Sequence, residues 1–229
     1  MKTLNTWAAA AAFLALTSAA QAALVNRGGG MIYDTTRNIT WLSDMNHAFT
    51  SGYAAQNAGG FGMNQIEANG RMGWNAATAW ANNLVHGGFS GWRLPTLTPN
   101  DPTCTPGGGL AFNCTGGELS GLFVTDLGNQ GNSSVLDGTG DTAEQIANLA
   151  MFSNVNAAVY WSGTELVVPD NDVAWIFNTI AGFQGISGKS TTSYALAVRT
   201  GDVAAAVPEP HTLSLALLAL GATLLARKR

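Results

Sequence analysis

Cys104 and Cys114 are the two cysteines of the chain, set in a Gly-, Pro- and Thr-rich stretch over residues 96–117. Thiols at this spacing can oxidise to a disulfide or ligate a soft metal. A zinc site needs four ligands, and no histidine or second cysteine pair lies nearby, so the disulfide is the expected state. Closing so short a loop removes roughly 3 kcal/mol of unfolded-state entropy. Asp170-Asn171-Asp172 places two carboxylates and an amide in one turn, hard oxygen donors of the kind Ca²⁺ takes. A solvated turn gives the same pattern, as does the acidic run 137–144, which lacks the spacing of an EF-hand. His47 and His86 stand without a local nucleophile motif and read as structural or solvent-exposed. No catalytic set assembles, and an enzyme is not expected. Trp161 and Trp175 could offer flat rings to a sugar, and Arg93 a guanidinium fork to a carboxylate or to backbone carbonyls. For rings on apolar strands, the core is the competing destination.

The two ends carry a different chemistry, that of processing. Lys2 precedes an apolar run from Trp7 to Leu16, and Ala20-Gln21-Ala22 is a small-x-small sequence. Together they form a secretory signal peptide over residues 1–22, with cleavage by signal peptidase expected before Ala23. At the other end, Pro208-Glu209-Pro210 is followed by an uncharged stretch and then by Arg227, Lys228 and Arg229. Positive charge resists translocation, so this tail stays cytoplasmic while everything upstream is exported. The uncharged residues 212–226 reach about 22 Å as a helix, short of a hydrocarbon core of about 30 Å. Such a segment suits a temporary membrane anchor better than a permanent one.

Between the ends lies one domain, residues 23–203, with residues 204–206 as a spacer. Its six basic residues face thirteen acidic ones, a net charge of −7. Nucleic acid is excluded as a partner, because phosphate binding requires clustered Lys and Arg. Abundant glycine and asparagine call for many turns and few long helices.

The elements that must position the candidate residues follow from period and punctuation. Residues 31–42 hold two apolar runs joined by Asp34-Thr35-Thr36-Arg37-Asn38, a β-hairpin pattern. Residues 46–71 show no sustained period and read as a long loop. Trp74, Ala77, Trp80 or Ala81, and Leu84 share one helical face, with Gly87-Gly88 as the stop. A second helix is expected from Gly117 or Glu118 to Leu127, with Leu119, Leu122, Phe123 and Leu127 inward and Gly128 ending it. Strands are expected over residues 158–162, 173–178 and 194–199. The sum is an α+β fold of antiparallel strands with two helices and long loops. Gly91-Trp92-Arg93-Leu94-Pro95-Thr96 reads as a helix-to-strand junction: Trp92 and Leu94 turn inward, and Leu94-Pro95 forces an extended exit.

Two resemblances rest on these residues. The segment 207–229, with its Pro-Glu-Pro triplet, apolar stretch and basic end, resembles the PEP-CTERM sorting signal of Gram-negative bacteria. That resemblance implies reading by an exosortase, passage through an inner-membrane intermediate, and a final place at the cell surface or in the extracellular, exopolysaccharide or biofilm matrix. The blocks around Gly91-Trp92-Arg93-Leu94-Pro95-Thr96, Tyr160-Trp161-Ser162-Gly163-Thr164-Glu165 and Tyr194-Ala195-Leu196-Ala197-Val198-Arg199 are similar to the Lcl C-terminal domain family. It implies a C-type-lectin-like fold with paired N- and C-terminal strands. The calcium-lectin triplets Glu-Pro-Asn and Gln-Pro-Asp are absent from the chain. The function expected is a non-enzymatic module binding polysaccharide or another surface component. The alternatives are a structural envelope protein without a defined ligand, or a secreted hydrolase.

Overall fold

The computed structural model describes residues 23–107, 110–166 and 172–203. It is α+β, with two five-stranded antiparallel sheets and short helices. The first sheet begins with β1 (Leu24–Gly28), β2 (Met31–Asp34) and β3 (Ile39–Leu42). β2 and β3 form the expected hairpin, with Met31 opposite Leu42 and Asp34 opposite Ile39. β10 (Val198–Thr200) lies between β3 and β4 (Trp92–Arg93), so strands from the two ends of the domain pair directly. The second sheet has the order β5 (Thr105–Gly107), β6 (Leu110–Phe112), β9 (Phe183–Gly188), β8 (Val173–Asn178), β7 (Val159–Glu165). The last expected strand is therefore shorter than its apolar run. Residues 194–197 cross between the sheets, and Tyr194 makes an isolated bridge to Tyr160.

The helices also differ in part from the sequence pattern. Residues 46–71 are not one irregular loop, for they hold α1 (His47–Thr50), α2 (Tyr53–Asn57) and a 3₁₀ turn at Gly62–Asn64. Each is too short to register as a period. α3 (Trp74–Asn83) buries Trp74, Ala77, Trp80 and Ala81 as expected, but ends before Gly87. α4 (Glu118–Ser120) runs into a π-helical turn, Gly121–Asp126. Leu119, Leu122, Phe123 and Leu127 are all buried. Gly128, with φ of +76°, ends the segment in a left-handed conformation that glycine adopts without strain. α5 (Ala143–Leu149) is an element that the acidic reading of its approach concealed. Thr142 and Gln145 cap it reciprocally, the hydroxyl of Thr142 accepting from the Gln145 N–H and the Gln145 side chain accepting from the Thr142 N–H. Among the described residues no helix is long and apolar enough to cross a membrane.

The core explains why Tyr160 and Trp161, which point to opposite faces of β7, are both fully buried. Each face of this sheet is covered. On one side Phe123 stacks on Phe177 at 5.3 Å and lies 5.4 Å from Tyr160. On the other, the Trp161 indole donates to the Met72 carbonyl at 2.8 Å, and the Trp74 indole donates to the Ser162 carbonyl at 2.8 Å. Polar atoms carried inward by large rings thus find backbone partners, which offsets their desolvation.

One charged group joins the sheets to the helical layer. Arg37, in the β2–β3 turn, donates to Asp34 at 2.5 Å and to Asp126 at 2.6 Å. It approaches across Gly121, where a Cβ would collide with the guanidinium. Burial pushes the Asp126 carboxyl up to about 6; Arg37 opposes that rise, and Asp34 and Glu144 add to it. A carboxyl that holds its proton more tightly when folded stabilises the fold below its unfolded value, and that contribution is lost as pH rises through the folded value. Stability from this group should therefore fall between about pH 4 and pH 6. Asp126→Asn should remove that part of the slope, as seen in urea denaturation at a series of pH values.

Candidate functional site

The cleft that gathers the most unusual side chains lies on the second sheet and encloses about 650 Å³. Its walls include Asp101, Cys104, Leu166, Trp175, Gln184 and Ile186. Register builds it: Trp175 of β8 sits opposite Ile186 of β9, and Gln184 sits opposite Phe177. Trp175 and Gln184 therefore share a sheet face. Phe177 and Tyr160 on that face are sealed by Phe123, whereas Trp175 remains partly exposed.

The polar groups are distinctive. Gln184 is 1% exposed and donates its amide to the Thr98 carbonyl at 2.9 Å, but its Oε1 has no partner. The Trp175 Nε1 is likewise buried and unpartnered. Five buried side-chain atoms among the described residues lack a partner, and these two belong to residues lining one cleft. An unsatisfied buried donor or acceptor costs about 1–3 kcal/mol, so such a pairing calls for an explanation.

The rim is held by the cysteine loop. Cys104 and Cys114 form a disulfide that closes the β5–β6 hairpin, and β6 pairs with β9. This Gly-, Pro- and Thr-rich stretch is thereby an edge of the second sheet. Asp101 reinforces the base, accepting from the Thr103 N–H and hydroxyl and from the Gly116 N–H at 2.7–2.9 Å. Burial would raise its pKa, but these donors outweigh burial and hold it below the ordinary carboxylate range. Asp101 and the two sulfurs lie within 4.8 Å of one another. With the sulfurs bonded together and the carboxylate already accepting from three donors, that trio does not make a metal centre. Replacing both cysteines with serine should lower stability by about 2–3 kcal/mol. Denaturation of oxidised and variant protein measures it, and intact mass before and after reduction shows the two-hydrogen difference.

The other candidates fall elsewhere. Trp161 is fully buried and its ring belongs to the core. Arg93 forks onto Glu118 with two bonds of 2.7 Å, as its place in the junction foretold, with Trp92 and Leu94 buried beside it. Burial would raise the Glu118 carboxyl, but Arg93 and the Thr96 N–H hold it below its ordinary range. Arg93 is thus engaged within the protein, where its bidentate geometry makes lysine a poor replacement. Asp170 and Asn171 lie outside the described residues, and Asp172 is exposed. So do Ala20 and Ala22, and Pro208, Glu209, Pro210, Arg227, Lys228 and Arg229.

His47 and His86, 39 positions apart, come together with rings 4.9 Å apart, a meeting that no local pattern signals. His86 Nε2 lies 2.7 Å from the Gly29 carbonyl, and His47 Nδ1 lies 4.0 Å from Asp44. Burial, followed by the neighbouring His86, lowers the His47 pKa, with Asp44 opposing. Neither ring lines the Trp175 cleft.

Comparison with known proteins finds the PEP-CTERM protein-sorting motif at residues 206–229. No curated protein and no solved structure matches the chain. The motif indicates a protein exported and sorted by an exosortase to the cell envelope or surface.

Proposed function

We propose that residues 23–203 form a non-enzymatic module that binds glycans or other surface components, displayed or released by exosortase processing. The observation that supports the reading is the sorting motif at 206–229, which indicates a protein exported and sorted to the cell envelope or surface. A cleft of about 650 Å³ with a partly exposed tryptophan supports it, since aromatic-lined concavities with a few fixed polar groups are the usual form of a binding site. In this reading residues 1–22 are a removed signal peptide, residues 204–206 a spacer and residues 207–229 the sorting signal. The Lcl C-terminal, C-type-lectin-like character of the domain is part of the same proposal. Among the described residues the cleft walls offer one carboxylate, Asp101, and it is already bound by three donors, which favours binding over hydrolysis.

The test is retention of the mature protein on immobilised envelope and matrix polysaccharides, with reducing-end release measured in parallel. Retention without release is expected. Release of new reducing ends would make the protein a hydrolase, and no retention on any polymer or surface preparation would leave a structural envelope protein.

A further inference from the structure

We infer that the Trp175 cleft is a subsite for a neutral saccharide, held by the Trp175 ring and by hydroxyls that satisfy the Trp175 Nε1 donor and the Gln184 Oε1 acceptor. The inference rests on the binding-module reading and narrows it to one site and one ligand class.

Two residues that line the cleft, Trp175 and Gln184, carry a buried unpaired donor and a buried unpaired acceptor, beside the partly exposed Trp175 ring and the side chains of Leu166 and Ile186. A purely aliphatic ligand would cover the apolar walls and leave both polar atoms unmet. A carboxylate or sulfate only accepts, so it could serve Trp175 but not Gln184. It would also meet the Asp101 carboxylate in a cleft whose described walls include no Lys, Arg or His, on a domain of net charge −7. An ammonium only donates; it could serve Gln184 and Asp101 but not the indole. A hydroxyl does both. Neighbouring hydroxyls on a ring whose opposite face is C–H match the cleft in all three respects: apolar face to Trp175, donation to Gln184, acceptance from the indole N–H. Both orphan atoms are shut off from bulk water, so a hydroxyl reaches them as the wall turns aside. Ile186, directly opposite Trp175 on the same wall, is 52% exposed.

The experiment is calorimetric titration of the full mature protein with neutral gluco-, manno- and galacto-oligosaccharides and, as the acidic arm, with an oligouronate. Trp175→Phe keeps the ring and removes the N–H; Trp175→Ala removes both. At least one neutral oligosaccharide should bind, tenfold or more weakly to Trp175→Phe, and without detectable binding to Trp175→Ala. Melting of Trp175→Phe should be unchanged or raised, because the substitution deletes an unpaired buried donor. Neutral binding that neither variant weakens would overturn the subsite and leave the binding-module reading standing. Trp175-dependent binding of the oligouronate alone would overturn the neutral class. No binding of any probe, together with no retention on envelope polymers, would overturn both.

Discussion

Arg37→Met should destabilise the folded domain by about 3–5 kcal/mol at pH 7, the range seen when one partner of a buried ion pair is removed. Arg37 has side-chain exposure of only 16%, Asp34 of 0% and Asp126 of 7%. Methionine fills much of the same volume, so packing loss is small and the effect is electrostatic: two carboxylates remain in the interior without a cation. Asp34 keeps the Thr36 and Arg37 backbone N–H groups and the Trp41 indole. Asp126 loses its Arg37 partner and must carry its charge alone or take up a proton. Because burial already lifts its pKa to about 6, the proton is the easier course. The penalty of Arg37→Met should therefore shrink at pH 4.5 relative to pH 7, and adding Asp126→Asn should recover a large part of it at pH 7. Urea denaturation of the three variants at both pH values decides the matter. A loss below 1 kcal/mol at pH 7, or one that is independent of pH, would show that the triad does not couple the β2–β3 turn to the helical layer. For a domain of ordinary stability, 5–15 kcal/mol, a loss of the expected size also predicts poor yield of the exported protein.

Local signals carried much of the scaffold. The hairpin at residues 31–42, the inward face of α3, and the four apolar positions that bury the 118–127 segment all follow from period and turn chemistry. The same reasoning aimed Arg93 at a carboxylate or carbonyls, although only the fold identifies Glu118, 25 positions later. Long-range encounters were not legible. Arg37 looked like one more turn residue, because Asp126 is 89 positions away. β9 escaped notice because Phe183-Gln184-Gly185-Ile186-Ser187-Gly188 mixes two glycines with polar residues, a composition that argues for a turn. Yet β9 supplies Gln184, the least expected member of the cleft. Trp161 and Trp175 read alike as rings on apolar strands. What separates them is which face of the sheet each occupies and what covers it, Met72 and Trp74 in one case and open cleft in the other. α5 could have been found: Thr142 and Gln145 have capping-box spacing, obscured by the acidic run that leads into them.

Glu209→Ala should separate enzymatic sorting from simple anchoring, with an all-or-none change in the chain's mass and location. The sorting motif at 206–229 includes Pro208-Glu209-Pro210, the uncharged stretch and Arg227-Lys228-Arg229. If an exosortase reads the triplet, the wild type loses the basic tail. Two of the three residues in the triplet are prolines, which carry no N–H, leaving the Glu209 carboxylate as its one charged feature. Alanine removes that feature and leaves the apolar stretch unchanged, so insertion into the membrane should proceed as before. The variant should then accumulate at full C-terminal length in the inner-membrane fraction, while the wild type appears at the surface or in the medium without its Arg-Lys-Arg end. A plain membrane tail predicts something different: Glu209 lies outside the hydrocarbon and contributes little to insertion, so both proteins would keep their tails and fractionate alike. Intact-mass measurement on each fraction reads the outcome directly. Identical masses and identical retention would sink exosortase processing of this chain, and with it the argument that the Trp175 cleft faces surface polymers.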